Sequence, residues 1–115
     1  MQDANKEHIK YKLATSFRKI LKHKKKISLR NKKKNIEDLT LVDSLRQLEA
    51  DSGLSYTLIQ TVCTGKRDIQ FTSLISLIES LGLSLSEFAR IYDKVTEEHI
   101  KIEQEEIVKN KRKNF

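Results

Sequence analysis

Leu48-Glu49-Ala50-Asp51-Ser52-Gly53-Leu54-Ser55-Tyr56-Thr57-Leu58-Ile59-Gln60-Thr61-Val62-Cys63-Thr64-Gly65-Lys66-Arg67 is the stretch whose reading decides the fold. Leu48 precedes Gly53 by five residues, and Ile59 and Val62 follow it by six and nine. That is the spacing of two short helices joined through a glycine turn, with the three aliphatic side chains buried between them. Ser44 with Gln47 predicts a capping box for the first helix, and Gly53 predicts its end. Ser55 caps the second helix, which carries Leu58, Ile59 and Val62 inward and stops at Gly65.

Outward from this pair the punctuation stays helical. Phe71, Leu74, Ile75, Leu77, Ile78 and Leu81 predict the most apolar helix, closed by Gly82. Ser84 and Glu87 predict a second capping box, for a helix through Phe88, Ile91, Tyr92 and Val95 that runs on to about Asn110. Beyond Val95 its apolar positions thin to Ile100, Ile102, Ile107 and Val108, as in a charged, fraying tail or a partner-facing arm. On the N-terminal side, Ile9, Leu13, Phe17, Ile20 and Leu21 form one stripe of a helix over 6–26, ended by Lys24, Lys25 and Lys26 at the negative end of its dipole. Residues 27–43 admit two patterns. Ile27 to Arg30 and Leu39 to Leu41 alternate, as in a hairpin with a lysine-rich tip, whereas Ile36, Leu39, Val42, Leu45 and Leu48 would extend the next helix backwards. The expectation taken forward is an irregular insertion with a short extended piece.

Composition narrows the class. The chain of 115 residues has no proline, no tryptophan and three glycines, which favours an all-α single domain. One cysteine, Cys63, excludes an internal disulfide and points to a reducing compartment. No apolar run reaches the roughly 20 residues of a membrane helix, and the N-terminus lacks the apolar stretch of a signal peptide, so a cytoplasmic protein is expected, with no membrane partner. His8, His23 and His99 are scattered and read as structural surface residues; no metal, cofactor or catalytic constellation is expected, and the chain is not read as an enzyme.

The charge is uneven. Residues 1–35 carry a net +11, residues 36–92 a net −4, and residues 93–115 none, for +7 overall. Concentrated on one element, positive charge is the footprint of a protein that meets a polyanion, although a lysine run is commonly only a solvated face.

The quoted stretch resembles the helix-turn-helix of the phage-repressor/Cro-like (XRE-type) transcriptional regulators. The similarity continues through Leu74, Leu77, Leu81-Gly82-Leu83-Ser84-Leu85 and Phe88, and spans about residues 44–92, with residues 9–24 supplying a first helix. Glu49 stands where that family usually has alanine, Cys63-Thr64 where it has Glu-Asn, and Ile69 where proline is frequent. The resemblance implies a five-helix lambda-repressor-like domain over 1–92. Its helix-turn-helix core is 44–65, its lysine-rich insertion between helices 1 and 2 is 27–43, and a charged helical extension follows over 93–115. It implies sequence-specific binding of double-stranded DNA by a homodimer that regulates transcription through operator occupancy. Base contacts carried over are Ser55, Tyr56, Thr57, Gln60 and Thr61; phosphate contacts are Ser44, Arg46, Thr64, Lys66 and Arg67. Lys32, Lys33 and Lys34 join the phosphate set because lysines of an exposed insertion would meet the backbone. The rival reading is an antitoxin-like or accessory module that keeps the scaffold and has a protein as its chief partner.

Overall fold

The computed structural model describes residues 3–35 and 41–113. These form six helices and no strand: α1 (Asp3–Lys33), α2 (Leu45–Ser52), α3 (Tyr56–Cys63), α4 (Phe71–Ser80), α5 (Leu85–Lys94) and α6 (Glu97–Lys113). The all-helical expectation therefore holds over the described residues. The longest helix sets the shape. At 31 residues, α1 is about 46 Å long, close to the 49 Å greatest extent of the molecule.

The core is built where α1 crosses the other helices. Phe17, Ile20 and Leu21 of α1 meet Leu48 of α2, Ile59, Val62 and Cys63 of α3, Leu77 and Ile78 of α4, Leu81, and Phe88 of α5. The rings of Phe17 and Phe88 lie 4.9 Å apart at a tilt of 39°, within the range of favourable aromatic pairs. Thr15 and Ser16 are buried on the same face, and their hydroxyls donate to the carbonyls of Tyr11 and Lys12, each at 2.8 Å. Among the described residues no buried side-chain nitrogen or oxygen lacks a partner.

Two sequence expectations are corrected here. The first helix does not stop at Lys26 but continues to Lys33, so residues 27–33 are neither an extended piece nor a hairpin strand. Lysine, arginine and leucine are all good helix formers, and no glycine or proline interrupts them. The helix ends at Asn35, the one non-glycine residue with positive φ among the described residues (55°), and its N–H reaches the Lys32 carbonyl at 3.2 Å. Asparagine enters that region more readily than most side chains, so it closes the helix as a glycine would. Of the rest of the insertion, residues 36–40 lie outside the described residues, and residues 41–43 have no regular structure.

The second correction concerns the last helix. It breaks after Lys94, with Val95 extended and buried, and α6 restarts behind Thr96. The Thr96 hydroxyl accepts from the His99 N–H, and His99 Nδ1 accepts from the Thr96 N–H, each at 3.2 Å. This is a reciprocal cap with an imidazole in place of the usual Glu or Gln. The restart turns α6 back onto α1. Ile100 and Glu103 are buried there, and Glu103 receives Arg18 Nε at 2.7 Å and Lys22 Nζ at 2.5 Å. The segment beyond Val95 is thus neither a free tail nor a detached arm over its first turns.

Candidate nucleic-acid interface

The α2–α3 pair is assembled by its own polar side chains. The Ser44 hydroxyl accepts the Gln47 N–H at 3.2 Å, as expected of the cap. Gln47 does not return to Ser44; its Oε1 accepts from the Asp43 N–H at 2.7 Å, one residue earlier. At the turn, Gly53 has φ 76° and its N–H bonds the Glu49 carbonyl at 3.1 Å. Ser52 donates to the Leu48 carbonyl at 2.5 Å and accepts from Leu54 N–H at 3.2 Å. Ser55 then caps α3 by accepting the Leu58 N–H at 3.1 Å.

Glu49 ties the two helices together. Its Oε2 accepts from the Tyr56 N–H at 3.1 Å, satisfying one of the free donors at the start of α3. Its Oε1 faces Arg46 at 3.5 Å, and the Arg46 guanidinium lies 3.9 Å from the centre of the Tyr56 ring. Arg46, Glu49 and Tyr56 therefore form one polar strap across the turn, while Leu48 and Ile59, both fully buried, hold the apolar side. A carboxylate at this position does not push the helices apart; it spans them.

The five base-contact candidates all lie at or on α3 but differ in what is free. Thr57 and Gln60 are exposed, and their side chains have no hydrogen-bond partner among the described residues. Thr61 is half-buried, and its hydroxyl donates to the carbonyls of Thr57 (2.7 Å) and Leu58 (3.1 Å). Tyr56 is half-buried beneath Arg46, and the hydroxyl of Ser55 is engaged in its cap. Among the phosphate candidates, the Thr64 hydroxyl donates to the Gln60 carbonyl at 3.0 Å, and Lys66 and Arg67 are exposed in the loop after α3.

A groove of about 380 Å³ runs beside this face. It collects Ser44 and Arg46 from the start of α2 and Tyr56, Gln60 and Thr64 from α3, so five of the expected contacts share one depression. It is also lined by Arg18, Lys22 and Lys25 of α1, by Asn110 of α6, and by one carboxylate, Asp43, just ahead of α2. Sequence reading missed these α1 cations. Their spacing of four and three, off the apolar stripe of Phe17, Ile20 and Leu21, was the available signal. Lys32, Lys33 and Lys34 are exposed at the end of α1 and do not line the groove. Lys33 lies eight residues past Lys25, about 12 Å farther along the helix axis.

Electrostatics on the α1 wall are set by α6. Burial pushes the Glu103 carboxyl up, but hydrogen bonds and charge from Lys22 and Arg18 together hold it below its ordinary value. Burial likewise pulls Lys22 down, and its contacts with Glu103 and Glu106 more than restore it, so it stays charged. Cys63, also on the groove wall, is a different case. Burial raises its thiol to about 12, against a smaller lowering by Arg18. It is 2% exposed. The folded protein should therefore react with a thiol reagent near pH 8 on the order of a thousandfold more slowly than the denatured chain. A stopped-flow thiol titration with and without denaturant checks this; comparable rates would mean the α3 core is open.

No family model, curated protein or solved structure matches this chain. No helix among the described residues is long and apolar enough to cross a membrane.

Proposed function

We propose that this protein binds double-stranded DNA with a sequence preference, as a transcriptional regulator of the lambda-repressor-like helix-turn-helix kind. The observation that carries the reading is the exposed face of α3, with Thr57 and Gln60 unpartnered, flanked by a groove that a row of α1 cations lines. An α-helix with short polar side chains outward fits the roughly 12 Å major groove, and hydroxyl and amide groups read base edges there. Arg46 and Ser44 at the start of α2, Thr64, Lys66 and Arg67 after α3, and Lys32, Lys33 and Lys34 farther along α1 meet phosphates. These contacts position the protein and carry little sequence information.

One short recognition helix covers only a few base pairs, so the protein acts as a homodimer on a two-fold site and regulates by occupying it. The exposed Ile102 and Val108 of α6 are candidates for the contact between copies. Selection of bound sequences from a random duplex pool tests the reading. The expected result is an enriched, near-palindromic site. Enrichment of no sequence, together with a stable complex with another protein, would favour the protein-interaction alternative.

A further inference from the structure

We infer that one sugar–phosphate strand of the duplex runs in the groove between α1 and α3, held by Lys25, Lys22 and Arg46, and that Glu106 of α6 is a built-in counterion that weakens this hold. The inference rests on the proposal that α3 meets duplex DNA, and it adds an element, α1 with α6, that the helix pair alone does not supply.

Three observations carry it. First, the groove is continuous with the reading face. Tyr56, Gln60 and the C-cap Thr64 follow one another at four-residue steps along α3 and line it, so a polymer that meets Gln60 borders the groove as well. Second, the α1 lining is cationic in a row. Arg18, Lys22 and Lys25 follow one another along α1, each neighbouring pair about 5–6 Å apart at Cβ, and Arg46 of α2 lines the same groove. An extended polyanion meets such a row along its length, whereas a single small anion would meet only part of it. Third, the row is graded. Lys22 Nζ is 2.6 Å from Glu106 Oε2 and 2.5 Å from Glu103 Oε1, and Arg18 is 2.7 Å from Glu103 and 3.8 Å from Glu106. Lys25 has no acidic partner among the described residues. Arg18 and Lys22 are already paired with carboxylates of α6, and Arg46 with Glu49, while Lys25 is available to phosphate.

A phosphate approaching Lys22 competes with Glu106, whose side chain is 46% exposed, and not with Glu103, which is buried. Removing the Glu106 charge therefore leaves Lys22 with Glu103 alone and opens one of its two carboxylate contacts to a phosphate, and removing the Lys25 charge deletes a contact. The two substitutions act in opposite directions on one surface.

The test is a fluorescence-anisotropy titration of the full chain on a short labelled duplex of random sequence, repeated over a series of salt concentrations. Lys25→Gln should weaken binding roughly three- to tenfold and reduce the slope of log affinity against log salt by about 0.9, the value for one phosphate contact. Glu106→Gln should tighten binding by roughly two- to tenfold and steepen the slope. Lys101→Gln and Glu105→Gln, exposed positions on α6 outside the groove, carry the same changes in net charge and should move affinity much less. Lys25 is exposed, so its variant remains informative should Glu106→Gln loosen α6. If the native protein binds duplex and the groove variants behave like these two controls, the strand does not lie in the groove and the inference fails while the α3 reading stands. Absence of duplex binding by the native protein overturns both.

Discussion

Gly65→Ala should destabilise the fold by about 2–5 kcal/mol, with roughly half of that arising outside α3. Gly65 has φ 77°, where a side chain costs roughly 1–2 kcal/mol. Its N–H bonds the Val62 carbonyl at 3.2 Å, and the Lys66 N–H bonds the Thr61 carbonyl at 2.9 Å, the paired bonds that close a helix at a left-handed residue. The backbone therefore cannot relax to negative φ without releasing both. In addition, a Cβ at Gly65 would overlap Tyr11, lying 2.8 Å from Cε1 and nearer still to Cδ1. The clash is with an aromatic ring edge of α1, and forcing it apart costs about 1–3 kcal/mol more. Gly53 and Gly82 share the same backbone conformation, at φ 76° each, but have no atom within 4 Å of an added Cβ. Gly53→Ala and Gly82→Ala should thus show the backbone cost alone. Chemical denaturation of the three variants separates the two terms. Equal losses at all three positions would mean that α1 does not press on the end of α3.

That contact also shows how unevenly the sequence discloses the molecule. The α2–α3 pair and its flanks were legible because glycines and serines mark helix ends through local chemistry, and local chemistry needs no partner. Gly53, Gly65, Gly82, Ser44, Ser55 and Ser84 all act where their residue types predict. Ser84 and Glu87 form the full reciprocal cap, and hydrogen bonds from the Ser84 backbone and side chain hold the Glu87 carboxyl below its ordinary value. The errors fell where an atypical residue took a familiar role. Asn35 ends α1 in the place of a glycine, and His99 caps α6 in the place of a glutamate. Glu49, an oddity beside the small residue expected there, is explained only by the Tyr56 N–H that it meets seven residues later. The cationic wall of the groove was the least legible part. Arg18, Lys22 and Lys25 are unremarkable among the cations of α1 until the fold brings them into one groove with Arg46 and Gln60 and sets Arg18 and Lys22 beside Glu103. Spacing along one helix says which residues share a face; it does not say what that face looks at.

Thr57→Ala should lower affinity for the preferred duplex by about 5- to 150-fold while leaving random duplex nearly unchanged, since one lost base contact is worth roughly 1–3 kcal/mol of discrimination. Thr57 is exposed, and its hydroxyl has no partner within the protein, so the whole hydrogen-bonding capacity of the side chain faces outward. Thr61 lies one turn on, on the same side of α3, but its hydroxyl proton is spent on the Thr57 and Leu58 carbonyls. What it offers a base is a methyl group and an acceptor. Thr61→Ala should therefore cost less preference than Thr57→Ala, near the low end of that range, and the loss should be greatest at a position where the site carries a thymine methyl. Arg67→Gln supplies the opposite pattern. From the exposed loop after α3 it would touch phosphate, so its removal should weaken preferred and random duplex alike and reduce the salt slope. None of the three should shift stability by more than about 0.5 kcal/mol, because none is in the core. Titrations on preferred and scrambled duplexes at one salt concentration, with melting curves as the check on folding, read all of this together. Should folded Thr57→Ala and Thr61→Ala proteins both retain the native sequence preference, α3 is not the reading helix. The unpartnered groups on its face would then have to serve a protein surface instead.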